Sequence, residues 1–91
     1  MSLDLKLRTK AFSLLILDIF EGLPNSISTK VVSYQLAKSG TSVGANYRAA
    51  CRSRSDNEFV SKMNIVLEEC DESLFWLEII EAKKWISQDK L

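Results

Sequence analysis

Apolar residues recur at helical spacing along three stretches of the chain. In the first, Leu5, Phe12, Ile16, Ile19 and Leu23 follow one another at intervals of three, four and seven, which predicts a helix over about 5–21. Leu14, Leu15, Leu17 and Phe20 fall outside a single narrow face, so this helix touches more than one neighbour. Two arrangements satisfy that pattern: a bundle helix packed between two others, or a helix at a subunit interface. Gly22-Leu23-Pro24-Asn25 ends it, because Gly suits a left-handed C-terminal position and Pro cannot continue the hydrogen-bond ladder. A second helix is expected from near Ser26 or Ser28 over about 27–52, with Ile27, Val31, Leu36, Val43, Tyr47 and Ala50 on its apolar face. A third follows over about 56–82, opened by the capping box Ser55-Asp56-Asn57-Glu58. Its main stripe is Phe59, Met63, Val66, Cys70, Leu74 and Leu77, with Trp76 and Ile80 on the flank.

Two long helices joined by a turn of a few residues must lie antiparallel. The chain is therefore expected to form an all-α, up-and-down helical bundle, residues 1–91 making a single domain. With the turn centred near Ser55, positions whose numbers sum to about 110 stand at the same height on the two helices. That sets Cys51 near Phe59 and Cys70 near Gly40, too far apart for a disulfide, and both thiols are expected as small buried hydrophobes. Gly40 and Gly44 share one face, and each costs about 1 kcal/mol relative to Ala inside a helix. Close approach of a neighbouring helix offsets that cost, and a phosphate-cradling loop would need a different Gly spacing and a following Lys. Ser39 and Asn46 lie beside the same face and are expected to make hydrogen bonds between helices.

Charge and composition remove most catalytic readings. Among 91 residues, 12 Lys+Arg balance 12 Asp+Glu and there is no histidine. The usual general base near neutral pH, the commonest zinc ligand and the Ser-His-Asp and Cys-His constellations are all excluded. The acidic run Glu68-Glu69-Cys70-Asp71-Glu72 lacks the Glu-x-x-His of a bundle metal centre and is expected to be a solvated or ion-paired face. No metal, cofactor or small-molecule substrate is expected, and two cysteines outside a CxxC spacing fit a reducing, cytoplasmic setting. Lys6, Arg8 and Lys10 followed by Ala11 to Leu17 imitate a signal peptide, but Asp18 and Glu21 interrupt the run and no small-residue cleavage site precedes Leu23-Pro24. No stretch approaches the ~18 apolar residues of a membrane helix.

The neutral total conceals two blocks. From Gly22 to Ser55 every charge is basic (Lys30, Lys38, Arg48, Arg52 and Arg54), whereas the segment from Asp56 to Glu81 is strongly acidic. One account is structural: the blocks pair across the antiparallel helices, with Arg52 near Glu58 and Lys38 near Glu72. The other is an RNA or DNA backbone gripped by Lys38, Arg48, Arg52 and Arg54, with Tyr47 available for stacking. The balanced total charge favours the structural account.

The run Gln35-Leu36-Ala37-Lys38-Ser39-Gly40-Thr41-Ser42-Val43-Gly44-Ala45-Asn46-Tyr47-Arg48-Ala49-Ala50 resembles the signature of the small four-helix bundle proteins encoded in intervening sequences of bacterial 23S ribosomal RNA genes. The resemblance extends from Leu23-Pro24 through Arg52, Arg54, Ser55, Phe59, Lys62, Ile65, Glu68, Glu69, Asp71, Glu72, Ser73, Trp76, Leu77 and Glu78, nearly the whole chain. It implies a cytoplasmic, bacterial, non-enzymatic protein that assembles into a homo-oligomeric ring, typically a pentamer, with Ser39, Gly40, Gly44, Asn46 and Trp76 at helix-packing positions. A related branch is the accessory protein of diversity-generating retroelements, whose basic barrel binds nucleic acid and a reverse transcriptase. For that branch Lys38, Arg48, Arg52 and Arg54 are the matching basic positions, although this chain lacks the branch's basic excess. The family pattern starts a fourth helix at Trp85-Ile86-Ser87, and this sequence stops at Leu91. Three helices alone leave an apolar groove, at about 25 cal/mol for each Å² exposed. A shortened chain, an incomplete gene or a groove filled by a partner subunit each fit, and self-association over the groove is the expectation.

Overall fold

The computed structural model describes residues 3–86. Within them the chain is all-helical: α1 spans Leu3–Ile19, a 3-10 turn follows at Phe20–Gly22, α2 spans Ile27–Cys51 and α3 spans Asp56–Ala82. The first helix runs two residues earlier than the spacing predicts, and its last expected turn tightens into the 3-10 segment. Leu23 is extended (φ −83°, ψ 148°), the conformation imposed on a residue that precedes proline.

Capping side chains fix the two long helices. Ser26 Oγ accepts from Thr29 N at 3.2 Å, and the Ser26 and Thr29 hydroxyls bond each other. Ser55 Oγ accepts from Glu58 N at 3.1 Å. The reciprocal arm of the capping box lands one residue early: Glu58 Oε2 accepts from Arg54 N, at 3.4 Å, in place of Ser55 N. At the other end α3 closes with paired hydrogen bonds, Trp85 N to Ile80 O at 3.2 Å and Lys84 N to Glu81 O at 3.0 Å. Lys84 occupies the left-handed position of this cap (φ 56°), where glycine is the usual residue. The reversal turns Trp85 and Ile86 back onto the core. Trp85 and Ile86 are thus not helical, and the remainder of the expected fourth-helix start, from Ser87 onward, lies outside the described residues.

α2 is the central element, with α1 and α3 each packed along it and meeting one another mainly through side chains. The core divides into two clusters along the long axis. Ile16, Val32, Leu36 and Ile80 form one; Val43, Tyr47 and Val66 form the other, with Met63 and Cys51 beside them. Burial along α2 runs through Thr29, Val32, Leu36, Ser39, Val43, Tyr47 and Ala50. This corrects the predicted face at its start, since Ile27 is 84% and Val31 is 55% exposed. Thr29 takes the inward place because its hydroxyl is satisfied by Ser26. On α3 the buried line is Val66, Ser73 and Ile80, so the predicted stripe is rotated, and Cys70 and Leu74 are exposed. The expectation that both thiols are buried therefore fails for Cys70; Cys51 is half-buried, and both are free.

Candidate functional site

The α2 seam holds the small and polar residues singled out in the sequence. A Cβ built on Gly40 would stand 3.1 Å from Ile16 Cγ1 and 3.2 Å from Ile16 Cγ2, so α1 lies directly on this glycine. At Gly44 the nearest atom is Thr9 Oγ1, at 3.4 Å. Ser13 Oγ donates to Gly40 O at 3.2 Å, a hydrogen bond between α1 and α2 that the missing side chain leaves room for. Across the other interface Ser73 Oγ donates to Ser39 Oγ at 3.0 Å, with both residues 1% exposed. That contact fixes the height of α3 against α2, at a residue-number sum of 112 in place of the expected 110 or so. Asn46 Nδ2 donates to Ser42 O at 2.9 Å within α2, so its hydrogen bond is local and does not cross to another helix. Trp76 is half-buried against the Ile16 cluster, its indole N–H is 3.5 Å from Glu72 Oε1, and its ring meets the Phe75 ring edge-on.

The basic positions share the outer side of the molecule. Lys38 and Arg48 are exposed on α2, Arg52 is exposed at its C-cap, and Arg54 is exposed in the turn that follows. Among the described residues the ion pair present is Arg8 with Asp4, at 3.8 Å within α1, and no base of α2 meets an acid of α3. The expected Arg52–Glu58 and Lys38–Glu72 pairs are therefore absent. Reflection about the turn gives the height of a residue along the helix but not its direction around it, and these cations point away from α3. Tyr47, expected as a stacking ring, is 2% exposed in the core. The aromatic ring on the basic face is Tyr34, 66% exposed, which sequence reasoning missed. Its spacing from Lys38 and Lys30, four residues either way, was the available signal.

An apolar groove of about 650 Å³ runs between α1 and α3, with Val43 of α2 at its floor. Leu5, Phe12 and Leu15 line one wall and Cys70, Leu74 and Leu77 the other. Partial burial first, then the carboxylates of Asp71 and Glu69, push the Cys70 thiol above its ordinary value. It stays protonated near neutral pH and is a poor nucleophile. Among the described residues no group of His, Cys, Asp and Glu could hold a metal ion, and no helix is long and apolar enough to cross a membrane.

A model of the 23S rRNA-intervening sequence protein family matches residues 1–91. The fold is similar to the crystal structure of a protein of unknown function from the S23 ribosomal protein family of Bacteroides thetaiotaomicron. The two share 34% identity over 93% of this chain and 79% of that chain, with a TM-score of 0.84. No curated protein matches the chain.

Proposed function

Because this chain belongs to the 23S rRNA-intervening sequence protein family, we propose that it is a non-enzymatic, cytoplasmic assembly protein that associates with copies of itself. A ring is the form favoured by the resemblance, and a helix from outside the three-helix unit completes the four-helix pattern. The observation that carries this reading is α1. Its inner face supplies Ile16 to the core, while Leu3, Leu7, Leu14 and Leu17 stand between 44% and 70% exposed on its outer side. A helix that carries apolar residues on two opposite faces has a second face to bury besides the one already packed on the core. In a domain of this size, the open groove and the exposed leucines together leave a large share of the apolar surface in water. Light scattering at low micromolar concentration is expected to give a multimer; a stable monomer would overturn the proposal.

A second reading rests on the unpaired cations. Lys38, Arg48, Arg52 and Arg54, with Tyr34 among them on the outer face, form a strip suited to a phosphate backbone and one stacked base. Assembly would gather several such strips, which offsets the neutral charge of the single chain. The triple variant Arg48→Ala, Arg52→Ala, Arg54→Ala is expected to bind structured RNA several-fold more weakly. The slope of log affinity against log salt should become shallower by about two to three units. An unchanged affinity and slope would contradict this reading.

A further inference from the structure

We propose that a cleft between α1 and α2 is a ribose-phosphate site, which makes the basic face prefer RNA to DNA. This deepens the nucleic-acid reading and rests on it. The cleft, about 360 Å³ in volume, lies on the other flank of α1 from the apolar α1–α3 groove. Lys10 and Ser13 stand on its α1 wall, Thr41 and Arg48 on its α2 wall, and Gly44 and Ala45 lie between them. It is open because the residues between the walls are small. Gly44 admits α1 so closely that an added Cβ would stand 3.4 Å from Thr9 Oγ1, and Ala45 is exposed with a single methyl. Its size is that of a small-ligand pocket.

The charge in this cleft is uncompensated. Among the described residues neither Lys10 nor Arg48 takes part in an ion pair; Asp4 is held by Arg8, and Asp18 lies about 12 Å beyond Lys10 along α1. One cation on each wall suits a phosphate held between them. The hydroxyls make a second demand. Ser13 Oγ has one hydrogen to give, to Thr9 O or Gly40 O, each at 3.2 Å, and Thr41 Oγ1 gives its own to Ala37 O at 2.6 Å. What both oxygens have left is lone pairs, so towards a ligand they accept and do not donate. The matching ligand carries an anion with an O–H donor close beside it, which a ribose 2′-hydroxyl supplies and a deoxyribose does not. A strand matches better than a free nucleotide. Lys38, Thr41, Ala45, Arg48 and Arg52 follow one line along α2 in steps of three and four, so cations continue past the cleft in both directions, over roughly 21 Å.

Fluorescence anisotropy with labelled oligouridine, and with oligodeoxyuridine and 2′-O-methyl oligouridine of the same length, tests this. The wild-type protein is expected to bind oligouridine several-fold more tightly than either of the others, the methylated oligomer having no 2′ hydrogen to donate. Ala45→Leu fills the cleft and leaves every cation in place. Position 45 is exposed and leucine is a good helix former, so the variant should keep wild-type helicity by circular dichroism. It is expected to bind oligouridine several-fold more weakly and to lose the preference for RNA. Lys10→Gln, also at an exposed position, should weaken the binding of both RNA and DNA and flatten the slope of log affinity against log salt by about 0.7. Equal affinity of the wild type for the three oligomers, or oligouridine binding unchanged in Ala45→Leu or in Lys10→Gln, would overturn the cleft site while the arginine strip stands. Failure to bind oligouridine by a protein that still binds structured RNA would do the same. A wild type that binds neither oligouridine nor structured RNA would remove the nucleic-acid reading as well.

Discussion

Leu36→Ala is expected to destabilise the protein by about 2–5 kcal/mol, whereas Ile27→Ala on the same helix should change stability by less than about 0.5 kcal/mol. Leu36 is 0% exposed and sits among Ile16, Val32 and Ile80, side chains contributed by all three helices. Its truncation leaves a cavity that cannot collapse, because β-branched neighbours on three different elements surround it. Ile27 is 84% exposed in the first turn of α2 and makes no core contact to lose. For a domain of about this length each kcal/mol lowers the melting temperature by roughly 4–8 °C, so the Leu36 variant should melt at least about 8 °C below the parent. Thermal unfolding at one fixed protein concentration measures both, since association makes the midpoint concentration-dependent. Equal effects at the two positions would contradict the burial pattern of α2.

The paired glycines should respond to alanine with opposite signs. Helix propensity alone favours Gly→Ala by about 1 kcal/mol at either place. At Gly40 the new methyl meets Ile16 Cγ1, Cγ2 and Cβ at 3.1, 3.2 and 3.4 Å. Cβ cannot be moved by a rotamer change, and Ile16 is itself 1% exposed, so α1 must shift and the Ser13 to Gly40 hydrogen bond is strained. Overpacking of this kind costs about 1–3 kcal/mol, enough to outweigh the propensity gain. At Gly44 the methyl meets Thr9 atoms at 3.4 and 3.5 Å, ordinary van der Waals contact, and the propensity gain survives. Urea unfolding is expected to move the midpoint down for Gly40→Ala and up, or not at all, for Gly44→Ala. A stabilised Gly40→Ala would show that α1 does not rest on that residue.

The sequence periodicity located the three helices to within about two residues, because their boundaries rest on local chemistry. Ser26 and Ser55 cap their own helices, and Pro24 forbids continuation. Which way each helix faces was less legible. Near the start of α2, Ile27 and Val31 compete with Thr29 and Val32 for the inward place, and the winner depends on Ser26 satisfying a threonine hydroxyl. On α3 the predicted stripe of Phe59, Met63, Val66, Cys70, Leu74 and Leu77 merges two lines, whereas the helix carries a buried line through Val66, Ser73 and Ile80 and an open one beside it that includes Cys70 and Leu74. Hydrophobic spacing registers both lines without distinguishing a filled seam from an empty one. The same limit applies to charge. The basic block was visible in the sequence, but the outward direction of Lys38, Arg48 and Arg52, and the exchange of Tyr47 for Tyr34, depend on the angle around the helix.

The exposed leucines of α1 and the open α1–α3 groove have one common consequence: the three-helix unit should not be the final state of the protein in solution. Sedimentation equilibrium of the wild-type chain across the low micromolar range, without nucleic acid, measures this directly. A mass several times that of the single chain, falling only on dilution well below that range, is the result expected; a single species at the monomer mass throughout would contradict it.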